Sequence, residues 1–528
     1  MARGYLSLIL HAHLPYVRHP EHESFLEESW LFEAITETYI PLLNAFDRLV
    51  RDGIRFRITM SVSPPLVAML QDEFLQGRYL AHMGKLIELA EKEVERTRSD
   101  GRFHHLAVMY RDMFRDTVDV FVHRYGGDLT RAFHRFQEAG VLEIMACAAT
   151  HGFLPLLRPE PSAVRAQVLT GAQCHRRAFG RPAAGIWLPE CAYYPGIEEV
   201  LKEAGFRYFI VESHGIDNAS VRPHYGLFAP IACPNGVAAF GRDPESSKQV
   251  WSSVEGYPGD ANYREFYRDI GYELDADYIR PYMLDGRIRV MTGIKYYRIT
   301  GQTEAKEPYH PDWARDKAAE HAANFMFWRH KQIEYHAARM DRPPLVVAPY
   351  DAELYGHWWF EGPQWIEFLI RKLVFDQNAI ELMTPSDYLA RHPVLQAATP
   401  SASSWGYQGH NAFWLNGGND WVYPHLHRAA RAMKAMVRRE AEQPSNELMR
   451  RALKQAGRSL LLAQASDWAF IMKTGTCVDY AQRHVRDHLA RFHYLEHAIG
   501  AGRIDWRRLR ALETMDNIFP DVDLSVFA

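Results

Sequence analysis

"GIWLPECAYYPG", residues 185–196, runs a short apolar stretch into a proline and then into a carboxylate, Glu190. Cys191, two tyrosines and a Pro-Gly turn follow. A brief apolar run bounded by turn residues reads as a buried strand, so the acid sits at the strand's carboxyl end. The same kind of run recurs as YLSLILHAH at 5–13, IRFRITMSV at 54–62, VLEIMACAAT at 141–150 and FRYFIVES at 206–213. IRVMTGI at 288–294, PLVVAPYDAE at 344–353 and IELMTP at 380–385 continue the series. Amphipathic stretches such as SAVRAQVLTGAQCHRRAF and GIEEVLKEAGF alternate with these runs, which predicts a parallel α/β fold. No glycine fingerprint follows the first strand, so a barrel is favoured over a doubly wound sheet.

Two regions break the alternation. Residues 75–136 carry helix-period apolar spacing with dense charge and read as a helical insertion. Residues 402–528, with LHRAARAMKAMVRREAE and NELMRRALKQAGRSLLLAQAS, read as a helical C-terminal domain. The barrel is thereby assigned to 1–74 and 137–401. The small polar residues of ATPSASSWG, 398–406, read as the linker.

The chain has 528 residues, 47% hydrophobic and 24% charged, with a formal net charge of −4, an ordinary globular balance. That charge gives no electrostatic reason to expect nucleic acid or an anionic membrane as partner. The 5 cysteines are scattered and never in CxxC spacing, which argues against a disulfide framework or a zinc site and suits a reducing cytoplasm. The apolar stretch near the N-terminus is broken by His11 and His13, too short for a signal peptide or a membrane span.

In a parallel barrel, functional side chains project from the carboxyl ends of the strands. Glu190, Asp351, His11, His13 and His151 all occupy that kind of position, on four different strands. Singly, each has a plainer reading. Glu190 or Asp351 could cap a helix, and Trp187, Trp358 and Trp359 could fill core. His11 and His13 could be core histidines, metal ligands or donors to a substrate hydroxyl. Together they indicate a convergent site. Two carboxylates in an aromatic pocket suit the breaking of an acetal, where one acid protonates the leaving oxygen and one anion meets the oxocarbenium-like centre. At a separation of roughly 5–5.5 Å the anion attacks directly and the reaction retains configuration.

HAHLPY, EIMACAATHGFLP, WLPECAYYPG, APYDAELYGHWWFEGP and ASDWAFIMKTGT, in that order, resemble glycoside hydrolase family 57, and most closely its 1,4-α-glucan branching members. The resemblance implies an incomplete (β/α)7 barrel with an inserted helical domain and a helical C-terminal domain, and no cofactor or metal. It implies Glu190 as nucleophile and Asp351 as general acid/base, with His11, His13 and His151 lining the donor-sugar site. It further suggests Trp405 and Trp414 as glucan platforms, Asp467 as a substrate-binding aspartate, and Arg264 and Thr476 as further contacts. Thr476 stands where many relatives carry glutamine. The implied partner is an α-1,4-glucan, serving as donor and acceptor. Transfer to a 6-hydroxyl forms α-1,6 branches, whereas transfer to water makes the same carboxylate pair an α-amylase. Branching members carry a tyrosine on a loop over the site, and residues 226–256 contain none, which strengthens hydrolysis, while the overall likeness to the branching group keeps transfer the favoured reading. A metal-dependent polysaccharide deacetylase, using HAH for two ligands, and a non-catalytic glucan-binding protein are the other readings.

Overall fold

The apolar runs that end in polar residues assemble into one curled sheet. The computed structural model describes residues 2–252 and 255–528. Its strands are β1 (Gly4–Ala12), β2 (Ile58–Val62), β3 (Leu142–Cys147), β4 (Gly185–Trp187), β5 (Tyr208–Val211), β6 (Ile231–Ala232), β7 (Ala238–Gly241), β8 (Leu345–Asp351), β9 (Ile380–Leu382) and β10 (Gln396–Ala397). Seven of them lie in the order β7-β5-β4-β3-β2-β1-β8, each parallel to its neighbour. β9 runs beside the first residues of β1, and the short β6 and β10 extend the β7 edge.

Strands β7 and β8 close on each other without a ladder. The link the backbone makes there is Asp243 N donating to Val347 O at 2.8 Å, so the barrel is incomplete. Arg329, on the helix Pro311–Ala337, reaches the Asp243 carboxylate at 3.0 Å with its side chain fully buried. A buried charge needs such a partner, so the pair ties the outer helix to the seam. Every position of β1 and β2 is buried, the pattern of a parallel sheet covered on both faces.

The register sets the site. His11 at the end of β1 lies opposite Asp351 at the end of β8 and opposite Ser61 on β2. Strand ends that carry chemistry are thus level with one another.

Two expectations differ from the structure. Residues 288–294 form no strand. Thr292 N and Gly293 N donate instead to the buried Asp269 carboxylate, at 3.0 and 2.9 Å, so a side chain satisfies backbone that a ladder would otherwise serve. β7, AAFG, was not foreseen, because two alanines and a glycine around the lone Phe240 carry little strand signature.

Within 75–136 lie most of the helix Glu73–Arg96, the helix His104–Asp119 and most of the helix Leu129–Glu138. The Asp72 carboxylate caps the first by accepting Leu75 N at 3.0 Å. Buried Glu93 on that helix accepts the hydroxyls of Tyr278 and Tyr296 at 2.9 and 2.8 Å, joining the helices to the irregular stretch before Pro311. After residue 402 come the helices Val422–Glu442, Glu447–Ala463, Ser466–Thr474, Val478–Gly500 and Trp506–Met515. Among the described residues no helix is long and apolar enough to cross a membrane.

The stretch read as a linker is fastened down. Tyr193 and Ser403 exchange backbone bonds of 2.9 and 3.2 Å, and Trp405 N donates to Glu190 O at 3.0 Å. Small polar residues here serve close backbone pairing against the turn after β4.

Candidate active site

Pro189 begins a single 3₁₀ turn, Pro189–Cys191, directly after β4. Within it Glu190 (φ 63°) and Cys191 (φ 50°) are both left-handed, as is His151 (φ 57°) beyond β3. Each such residue costs about 1–3 kcal/mol and persists where its surroundings over-determine it. Here Cys191 N bonds Leu188 O at 2.9 Å, and the bond from Trp405 N holds the Glu190 carbonyl from the other side. The strained turn folds the Glu190 carboxylate back over the strand ends.

Both oxygens of that carboxylate are engaged. Trp405 Nε1 donates to Oε2 at 2.8 Å and Ser466 Oγ to Oε1 at 3.0 Å. Burial pushes the group up to about 7, and the two donors hold it from rising further. Behind Ser466 lies a chain of hydrogen bonds. His151 Nδ1 meets Ser466 Oγ at 2.9 Å, His11 Nε2 meets His151 Nε2 at 3.0 Å, and Ser61 Oγ meets His11 Nδ1 at 3.3 Å. Burial, then neighbouring histidines, push both rings well below the usual histidine range, so each is neutral with one N–H. Since Ser466 gives its proton to Glu190, it accepts from His151 Nδ1. His151 Nε2 then accepts from His11 Nε2, and His11 Nδ1 from Ser61. All four bonds point toward Glu190.

His13 differs in charge. Burial pulls it down, but Asp467, Glu190 and Glu353 outweigh that, and it protonates above its ordinary value. Its Nε2 donates to Asp467 at 3.1 Å, and its Nδ1 lies 2.8 Å from Ser63 Oγ. Asp351 is pushed well above the usual carboxylate range by burial, then by the charges of Glu353 and Glu190, with Arg242 opposing. It therefore keeps a proton where an ordinary aspartate would have lost it.

A cavity of about 720 Å³ unites these groups. Its walls include His11, His13, His151, Glu190, Asp351, Trp405, Asp467 and Arg264. Arg264 reaches it from a buried position, its guanidinium 3.9 Å from the Phe360 ring centre and 3.5 Å from the Glu37 carboxylate. Two expected contacts are not brought together with the rest. Trp414 is 1% exposed and stacks on Phe153 at 4.4 Å, which makes it core and leaves no face for a sugar. Thr476 is exposed in the turn after the helix Ser466–Thr474, where its hydroxyl meets that of Thr474 at 3.2 Å. Trp187 is also core, lying under His11 with ring centres 4.6 Å apart. Of the loop 226–256, Ser253 and Val254 fall outside the described residues.

Sequence reasoning missed several groups. Glu353 lines the cavity and accepts His13 N at 3.2 Å and the Tyr39 hydroxyl. Its place two residues past Asp351, in DAE, was the available signal. Ser466, Ser61 and Trp251 gave none. Among the described residues, the group close enough to hold an ion is His13, His151 and Asp467, which takes one histidine of HAH, and every ring nitrogen in it already has a protein partner.

The family model for glycosyl hydrolase family 57 matches residues 7–397. The chain belongs to glycosyl hydrolase family 57. Residues 425–527 match a second family model, 1,4-alpha-glucan branching enzyme, C-terminal. Over 98% of this chain and 78% of the relative, it is 35% identical to the 1,4-alpha-glucan branching enzyme of Thermococcus kodakarensis. Among solved structures, the novel alpha-amylase of Thermotoga maritima is 45% identical with a TM-score of 0.93, covering 100% of this chain and 99% of that one. The family-57-type branching enzyme of Pyrococcus horikoshii is 33% identical with a TM-score of 0.89, covering 99% and 97%.

Proposed function

We propose that this chain is a retaining α-glucan enzyme that cleaves an α-1,4 bond and transfers the chain to a 6-hydroxyl, forming the α-1,6 branches of a glycogen-type glucan. The observation that carries the reading is a buried Asp351, held well above the usual carboxylate range, and a hydrogen-bonded Glu190 lining one cavity, in a chain related along its length to named branching enzymes. Asp351 gives its proton to the glycosidic oxygen while a Glu190 oxygen bonds to the anomeric carbon and the glycosidic bond breaks. Asp351, now a base, takes the proton of an incoming 6-hydroxyl, whose oxygen displaces Glu190. Glucan is both donor and acceptor. The net charge of −4 favours neither nucleic acid nor anionic lipid as partner. A reducing cytoplasm fits 5 cysteines that all remain free thiols.

Hydrolysis by the same pair is the second reading. It is favoured by the likeness to the Thermotoga maritima alpha-amylase and by the lack of tyrosine in 226–256. Incubation with linear amylose separates the two. Falling iodine colour with unchanged reducing ends and new α-1,6 linkages supports branching. Falling colour with many new reducing ends and no α-1,6 linkage overturns it. Glu190→Gln is expected to abolish either activity.

A further inference from the structure

A second cleft lies on the C-terminal helices and shares no lining residue with the catalytic cavity. Its volume is about 330 Å³, and it runs along one face of the helix Glu447–Ala463. Arg450, Arg451, Lys454 and Arg458 face it from that helix, at the three- and four-residue spacing that sets side chains in one row. Glu513, from the helix Trp506–Met515, forms the other wall with Pro520 and Asp521 beyond it.

The charges of this cleft do not balance by direct contact. Each of its carboxylates is already taken by an arginine. Glu513 accepts two bonds from Arg451, at 3.0 and 2.6 Å, Glu447 lies 3.4 Å from Arg450, and Asp521 lies 3.4 Å from Arg177. Lys454 and Arg458 are left over. Among the described residues neither has a carboxylate at ion-pair distance, and the half-buried Lys454 has no hydrogen-bond partner either.

Arg458 is 7% exposed, and its guanidinium meets neutral acceptors. Nε donates to Phe519 O at 3.1 Å, Nη1 to Gln455 Oε1 at 2.9 Å and Nη2 to Pro520 O at 2.9 Å. These bonds fix the plane of the fork and use three of its five N–H groups. They also hold the wall, where Phe519 is left-handed at φ 53°. Burial pulls Arg458 below the usual arginine range, and the more distant charges of Glu513 and Asp516 offset this only in part. A buried charge ordinarily has an opposite charge against it. Here that place is open to the cleft.

We propose that this cleft is a phosphate-binding site, in which the phosphate group of a small phosphorylated molecule spans Lys454 and Arg458. A dianion matches the two unneutralised cations. The arginine offers its remaining N–H groups to phosphate oxygens, and the lysine adds a point charge. The volume suits a small molecule, and the exposed carboxylates of Glu447 and Asp521 at the rim repel an extended polyanion such as nucleic acid.

The probes are inorganic phosphate and glucose 6-phosphate, each titrated calorimetrically into the full chain at fixed ionic strength, so that screening of the surface arginines stays constant. Both are expected to bind saturably, to compete for one site, and to raise the melting temperature as their concentration rises. Lys454→Ala breaks no bond of the folded chain. It is expected to weaken both probes about tenfold or more while leaving activity on amylose unchanged. Arg458→Lys keeps a charge but loses the fork, and is expected to weaken both as well. Tighter binding of the ester identifies a sugar phosphate as the occupant, and equal binding identifies free phosphate; either result upholds the site. No saturable binding of either probe, or binding that Lys454→Ala leaves unchanged, overturns the inference.

Discussion

Trp405 donates its indole N–H to Glu190 Oε2 at 2.8 Å, a contact between residues 215 positions apart. The same residue's backbone N–H bonds the Glu190 carbonyl. One residue thus secures both the position of the carboxylate and its charge, since a donor favours the ionised form needed for attack.

Trp405→Phe keeps most of the ring and deletes the donor. A hydrogen bond to a charged group contributes about 1.5–3 kcal/mol, so kcat/KM on amylose is expected to fall roughly 10–100-fold. Glu190, already near 7, moves higher without the donor, so the acidic limb of the pH profile shifts to higher pH. A variant with a normal rate and an unmoved limb would show that the indole N–H is dispensable.

Ser466→Ala removes the second donor and interrupts the chain from Ser61 through His11 and His151. The acidic limb is again expected to rise, and His151 Nδ1–H loses its acceptor while His11 still donates to Nε2. Activity across pH and the Nδ1/Nε2 tautomer of His151, read by nitrogen NMR, check both parts. A parent enzyme in which His151 carries its proton on Nε2 would contradict the order of the chain.

Glu353→Gln tests what keeps Asp351 protonated. After burial, the Glu353 charge is the largest cause raising Asp351. Removing a neighbouring anion favours the charged form of Asp351, so its pKa falls and the proton is lost at lower pH. The alkaline limb of kcat/KM is expected to move to lower pH while Glu190's limb moves less. An alkaline limb that stays in place would mean that burial alone holds the proton.

Trp414→Ala is expected to act on stability. Removing a buried tryptophan costs about 3–5 kcal/mol. The lost contacts include the stack on Phe153 and packing in a small buried cluster with Ala192 and Ala469. Thermal or denaturant unfolding measures the loss. A full-stability variant with weakened amylose binding would restore Trp414 as a platform.

Much of the scaffold was legible because strand signals are local. Seven apolar runs announced β1, β2, β3, β4, β5, β8 and β9, and the polar residues at their ends announced Glu190, Asp351 and the histidines. Residues 288–294 were misread because a branched, apolar run looks the same whether a ladder or the Asp269 carboxylate satisfies its backbone. Trp414 was misplaced for a related reason. A tryptophan near a site has the same letter whether its face is open or stacked on Phe153.

By itself the sequence determined which residue types stand at the carboxyl ends of which strands, since apolar period and turn residues are written within a few positions. Only the tertiary structure decided what those residues can do. Ser466 reaches Glu190 across 276 positions and Asp467 reaches His13 across 454, and burial strips most of the water from around them. Desolvation and hydrogen bonding set the charge of a carboxylate, and both depend on neighbours that chain order does not place side by side.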